Sequence, residues 1–231
     1  GTLGSGDVTL TNNANLSFVR STATTIGNSI SGTGNVSASI TGASSTLTVA
    51  SPVNLTSGTV NLAADSDLSV TAAIATTNAT SSAVLLNAGK STAAGTSTGG
   101  NLVISGSGAA TVGAGGRITY MTGSVAGSTG LGVLAGNSRY NSDETTTRYT
   151  TALGTGSYAI YREAPTLTAT FNNAKGHSVT VGVRPEDLVI TKGKGLEVEI
   201  DVVEELGADG YLYGRAVIDG TDNPVVIRVD G

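Results

Sequence analysis

Apolar residues recur along the first two thirds of the chain as short alternating pairs: Val8 and Leu10, Leu16 and Phe18, Val36 and Ile40, Leu47 and Val49, Val53 and Leu55, Val60 and Leu62, Leu68 and Val70, Leu102 and Ile104. A period of two sends one side chain inward and the next outward, the mark of a half-buried β-strand. Between 47 and 70 the pairs begin at 47, 53, 60 and 68. The gaps hold turn formers, as in Gly42-Ala43-Ser44-Ser45 and Asp65-Ser66-Asp67. Three strand-plus-turn units make a coil of about twenty residues, within the range of solenoid repeats. Such a coil carries too few apolar side chains to fold alone and buries a continuous core only when coils stack. The expectation is therefore an all-β chain beginning with a β-solenoid of the right-handed parallel β-helix type. A β-sandwich is the competing arrangement, although it calls for longer strands and more aromatic residues.

Composition supports small-residue packing. The 231 residues include 33 glycines, with only 4% aromatic and 13% charged residues, against roughly 25% charged in ordinary domains. The net charge of −5 is unevenly placed. Residues 1–171 carry six cations and six anions, whereas the last 60 carry six cations and eleven anions. That shift marks a boundary, and neither part has the basic patch that nucleic acid requires. Cysteine is absent, which excludes disulfides and Cys-based zinc sites. No apolar run is long enough to span a membrane as a helix, and the first residues lack a signal-peptide pattern.

After residue 175 the strands become longer and more charged. Val179–Val183 alternates, Arg184-Pro185 breaks it, and Leu196–Val203 alternates again. In that last run Leu196, Val198, Ile200 and Val202 are expected on one face, with Glu197, Glu199 and Asp201 on the other. Tyr211-Leu212-Tyr213 and Val225–Val229 add two further strands. About five strands in 60 residues predict a small OB-like barrel. The expected organisation is a stalk over 1–164 with a Tyr-rich end region from about 120, a linker over 165–178, and the barrel over 179–231.

Two resemblances carry functional expectations. Val84-Leu85-Leu86-Asn87-Ala88-Gly89, Gly100–Ile104, Gly115–Tyr120 and the run from Tyr120 to Pro165 resemble coils of filamentous-haemagglutinin-like exoproteins of two-partner secretion. This resemblance covers about 84–168 and implies a secreted or surface-exposed adhesin stalk, with a host surface or glycan as partner. Gly182-Val183-Arg184-Pro185-Glu186-Asp187-Leu188, Val202–Asp209 and Val226–Gly231 resemble the C-terminal regulatory OB-fold (TOBE) region of ATP-binding subunits of maltose- and trehalose-type ABC importers. This second resemblance covers about 176–231 and implies self-association or contact with a sugar-importer subunit, at the cytoplasmic face of the inner membrane. Arg184, Pro185, Glu186, Asp187, Glu204 and Glu205 are the residues it puts forward. The two families occupy different compartments, so the chain also reads as a chimera of unrelated pieces.

Little catalytic chemistry is visible. No Gly-rich loop ends in Gly-Lys-Ser/Thr, and Gly113-Ala114-Gly115-Gly116-Arg117 lacks the phosphate-contacting lysine. His177 is the single histidine and lies in the expected linker. Asp65 with Asp67, and Asp219-Gly220-Thr221-Asp222, have spacings calcium could use but lack the other oxygen ligands of an EF-hand loop and read as turns. No catalytic, cofactor or metal site is assigned, and the expectation is a non-enzyme. Five of the seven tyrosines, Tyr120, Tyr140, Tyr149, Tyr158 and Tyr161, fall between 120 and 163 with Arg162 beside them. Tyr and Arg are preferred interface anchors, so these six form the candidate partner patch. A cap closing the stack is the alternative role.

Overall fold

The computed structural model describes residues 3–134, 136–164, 197–206, 209–218 and 220–230. The chain divides into two compact units, Gly1–Pro165 and Thr166–Gly231. The expected linker, His177 and the Arg184-Pro185-Glu186-Asp187 motif lie outside the described residues.

The first unit begins with β1 (Val8–Leu10), β2 (Asn15–Arg20), β3 (Thr24–Ile26), β4 (Ile30–Gly32), β5 (Asn35–Ile40), β6 (Leu47–Val49), β7 (Val53–Leu55) and β8 (Val60–Ala64). It continues with β9 (Leu68–Val70), β10 (Ala73–Thr76), β11 (Val84–Ala88), β12 (Leu102–Ile104), β13 (Ala109–Thr111), β14 (Arg117–Thr122), β15 (Ser138–Arg139) and β16 (Gly156–Tyr161). Three parallel sheets result, in the orders β1-β4-β7-β10-β13, β15-β16-β14-β11-β8-β5-β2 and β12-β9-β6-β3. Through β14 each sheet takes every third strand, so the chain visits the three in rotation. The strands are short because each needs only two or three inward side chains. Val36, Ala38, Ile40, Leu47, Val49, Val53, Leu55, Val60 and Leu62 point inward and are buried, while the residues alternating with them within these strands are more exposed.

Paired residues in the early coils are 20 to 24 positions apart, as in Val8↔Ile30, Asn15↔Asn35 and Val36↔Val60. Where β12, β13, β14 and β16 join the strand of the preceding coil the separation is 34 to 39, as in Leu68↔Leu102, Ile74↔Ala110, Val84↔Ile118 and Arg117↔Gly156, whereas β15 pairs with β16 at 21, as in Ser138↔Ala159. One insertion, residues 89–101 between β11 and β12, lengthens the first three of these pairings. The second, 123–155, lies between β14 and β16, and its described residues include the two-residue β15 as their one strand.

Neighbouring coils approach closely where glycines align. A Cβ on Gly58 would collide with the carbonyl of Gly34, and a Cβ on Gly34 with the carbonyl of Ala14. Asn35 ties three coils together nearby: Nδ2 donates to Asn15 Oδ1 at 2.8 Å, and Oδ1 accepts from Thr59 N at 2.8 Å.

The second unit contains an antiparallel sheet of β17 (Glu199–Leu206), β18 (Asp209–Ile218) and β19 (Thr221–Asp230). A β-bulge interrupts β17, because Ile200 pairs with Gly214 while Val202 pairs with Tyr213. The extra residue reverses the facing of the strand. Ile200 and Val202 therefore lie on opposite faces, not on the single face that alternation predicts.

The expected fold class is corrected on these grounds. An all-β solenoid followed by an OB-like barrel is not what the described residues form. They form parallel sheets of unequal size, with five, seven and four strands, with one long insertion between β11 and β12 and a second after β14, where the strand rotation stops. Among the described residues of the C-terminal part the strands form an antiparallel sheet of three, where the sequence predicted a barrel of about five; the expected strand Val179–Val183 lies outside the described residues. The expectation failed because strand periodicity reports which side chains face inward, not how sheets are bounded or closed.

Candidate functional site

The alternation of buried and exposed positions breaks down at one place, the outer face of the seven-stranded sheet where β11, β14 and β16 end. Asn87, Met121 and Ile160 are in register on that outward face, yet all three are buried. Arg162, of the same parity just beyond β16, is fully buried at 0% exposure. The two insertions cover them. Gly95 N donates to Arg162 O at 2.7 Å from one, and Asn141 N donates to Glu163 O at 2.9 Å from the other.

The buried guanidinium is held by four hydrogen bonds. Arg162 Nε donates to Thr92 O at 2.8 Å and Nη1 to Ala88 O at 2.7 Å. Nη2 donates to Asn87 Oδ1 at 2.8 Å and to Glu144 Oε1 at 2.6 Å, the latter an ion pair. Asn87 Nδ2 also donates to Glu144 Oε1, at 2.6 Å. Burial lowers the Arg162 pKa from its ordinary value, opposed by Glu144 and Asp143. Removing a charge from water costs several kcal/mol, so the ion pair and carbonyl acceptors are what make this position tenable.

Asp143 anchors the turn that brings Glu144 to Arg162. Its Oδ2 accepts from Ala94 N at 2.8 Å, and its Oδ1 accepts from Thr145 N at 2.7 Å, Thr145 Oγ1 at 2.9 Å and Thr146 N at 2.6 Å. Burial pushes this carboxyl up, but the donated hydrogen bonds outweigh burial and hold it well below the usual carboxylate range.

The six residues of the candidate partner patch are divided by the fold. Tyr120 and Tyr161 point inward and belong to the hydrophobic core. Burial pushes the Tyr120 hydroxyl up to about 12; Tyr161 is raised by burial and then by Tyr140. Tyr140 packs against that core and stacks on Tyr161 at 5.4 Å between ring centroids. Tyr158 and Tyr149 instead flank Arg139, whose guanidinium carbon lies 5.6 and 5.7 Å from their ring centroids. Arg162 is the residue wholly withdrawn from solvent. The structure thus brings together Tyr140 with Tyr161, and Tyr149 with Tyr158, but not all six on one surface.

Asn87, Thr92, Asp143 and Glu144 are the members that sequence reasoning missed. Asn87 offered a signal, since it interrupts the apolar run Val84-Leu85-Leu86 in a strand. Asp143-Glu144 offered another, as adjacent carboxylates in a charge-poor region.

The turn aspartates tie coils. Asp65 Oδ1 accepts from Ser91 Oγ at 2.7 Å and lies 3.1 Å from Lys90 Nζ, while Oδ2 accepts from Gly42 N at 2.7 Å. Asp67 Oδ1 accepts from Asn101 N at 2.7 Å. Among the described residues no group of three His, Asp or Glu side chains gathers as a metal cage. No described helix is long and apolar enough to cross a membrane. In the second unit, Tyr213 Oη donates to Glu204 Oε2 at 3.0 Å, and Arg215 pairs with Asp201 at 3.0 Å. Glu205 lies in β17 opposite Gly210.

The chain matches no protein-family profile and no solved structure. It does share sequence with ATP-binding proteins of import systems. A diacetylchitobiose uptake system ATP-binding protein of Streptomyces coelicolor is 43% identical over a match covering 22% of this chain and 18% of that protein. An sn-glycerol-3-phosphate import ATP-binding protein of Ruegeria pomeroyi is 39% identical over 23% of this chain and 15% of that protein. The corresponding protein of Psychromonas ingrahamii is 36% identical over 25% and 17%. The chain thus spans less than a fifth of the length of each of these relatives. These matches correct the expectation of a non-enzyme, which rested on missing motifs: the relatives are ATP-binding proteins. They lend the adhesin reading of 84–168, and its secreted location and host-surface partners, no support.

Proposed function

We propose that the chain contributes a regulatory or self-association module to the ATP-binding machinery of a carbohydrate-type ABC importer, acting at the cytoplasmic face of the membrane. The observation that carries this reading is the sequence shared with three import ATP-binding proteins. The matched share, 22–25% of the chain, is the size of the stretch 176–231. That stretch contains the Gly182–Leu188 and Val202–Asp209 motifs resembling the importer regulatory region. Arg184, Pro185, Glu186, Asp187, Glu204 and Glu205 are the residues through which it contacts a partner subunit or a second copy. Glu204 is the best-placed described member, exposed on β17 and oriented by the Tyr213 hydroxyl.

Binding of the full chain to a purified diacetylchitobiose-type ATP-binding subunit, measured by titration calorimetry with and without ATP, tests the reading. Saturable binding that Glu204→Lys with Glu205→Lys weakens at least tenfold is expected. Absence of both hetero-binding and self-association would end it.

A further inference from the structure

We propose that Arg162 and Asn87 form a carboxylate-binding seat on the outer face of the seven-stranded sheet, occupied in cis by Glu144 and able to take a free small carboxylate when Glu144 is removed.

The seat is built before Glu144 enters it. Three of the four Arg162 hydrogen bonds end on acceptors of the 87–92 segment: Thr92 O, Ala88 O and Asn87 Oδ1. These fix the guanidinium plane. Arg162 Nη2–H and Asn87 Nδ2–H then converge on one point, where Glu144 Oε1 sits 2.6 Å from each nitrogen. Two donors converging on one oxygen, one from a buried cation, make a site for an anionic oxygen.

Glu144 fills the seat incompletely. Both donors reach Oε1, and among the described residues no donor reaches Oε2. Its side chain is 32% exposed, whereas that of Arg162 is 0% exposed. The seat therefore opens toward solvent on the Glu144 side, and the residue filling it comes from a turn, not from the sheet. Asp143 is the other charge close to Arg162. It cannot replace Glu144, because both its oxygens are committed to Ala94, Thr145 and Thr146. Loss of Glu144 thus leaves a buried guanidinium without a directly bonded counter-charge, the condition under which an external anion is most strongly drawn in. A carboxylate matches the donor geometry better than a spherical halide, since its oxygens are directional acceptors.

Chemical rescue tests the seat. The Glu144→Ala variant of the full chain is melted at pH 7 in rising sodium formate, with sodium chloride at equal ionic strength as control. We expect its melting temperature to fall by roughly 5–10 °C from the unsubstituted chain. Formate should restore at least half of that loss along a saturable curve, with chloride restoring much less. The unsubstituted chain, whose seat is filled, and the Glu144→Ala/Arg162→Met double variant, whose seat is gone, should show no formate-specific gain. If Glu144→Ala does not fold, refolding yield in formate against chloride is the readout, and equal yields overturn the proposal. Equal effects of formate and chloride on the single variant, an unchanged melting temperature, or a formate-specific gain in the double variant would also overturn it.

Discussion

The close approach of Gly34 and Gly58 makes the packing of coils testable with a single methyl group. In Gly58→Ala the new Cβ meets the Gly34 carbonyl oxygen, with the Gly34 carbonyl carbon 2.6 Å away and Asn35 Oδ1 at 3.2 Å. The obstruction is backbone, so no rotamer change relieves it. Nor can the backbone easily retreat, because Asn35 N donates to Ala14 O at 2.8 Å on one side and Val36 N to Thr59 O at 2.9 Å on the other. Overpacking of this kind costs about 1–3 kcal/mol. Loosening the bond between Val36 and Thr59, together with that from Thr59 N to Asn35 Oδ1, adds roughly 1 kcal/mol for each. A total of about 3–5 kcal/mol corresponds to a melting temperature lower by roughly 10 °C for a unit of this size. Gly27→Ala is the matched control: its Cβ meets nothing within 4 Å and its φ is not in the left-handed region. It should leave the melting temperature unchanged or raise it slightly by restricting the unfolded chain. Differential scanning calorimetry of the two variants decides the matter. A Gly58→Ala transition within a degree or two of the parent, or an equal loss in Gly27→Ala, would refute the reasoning.

Two pH dependences follow from Asp143 and the buried Tyr120. The folded-state pKa of Asp143 lies below its unfolded value, so its contribution is present above about pH 4 and is lost as pH falls through the folded value; the difference in melting temperature between the parent and Asp143→Asn should shrink below pH 4, and a constant difference would contradict this. The Tyr120 hydroxyl is raised to about 12, so its contribution is intact below about pH 10 and lost as pH rises from there towards 12; in Tyr120→Phe the alkaline loss of stability, followed by circular dichroism between pH 9 and 12.5, should be smaller than in the parent.

Much of the strand pattern was legible because it is local. The pairs beginning at 47, 53, 60 and 68 are β6, β7, β8 and β9, each bounded by the turn residues that separate them in sequence. Sheet boundaries were not legible, since β8 pairs with residues 24 positions away on either side and nothing within β8 records them. The bulge at Ile200–Val202 was hidden for a related reason. A run that alternates perfectly in sequence gives no sign that one residue is left out of the pairing. The Arg162 seat was the least accessible feature. Arg162 beside the tyrosines reads as an exposed interface anchor, and it is the return of residues 89–101 and 123–155 over the sheet that buries it.

The 20-to-24-residue separation of paired strands also governs how the first unit would respond to tension. Each early coil bonds to the coil before it and the coil after it, as β5 does to β2 and β8. A load applied across the end of the stack therefore falls on one coil's hydrogen bonds at a time. Peeling a coil of about 22 residues would release roughly 75 Å of contour length. Successive early coils would give force peaks at nearly even spacing, and the later ones, tied by the Arg162 cluster, would give way as a larger block.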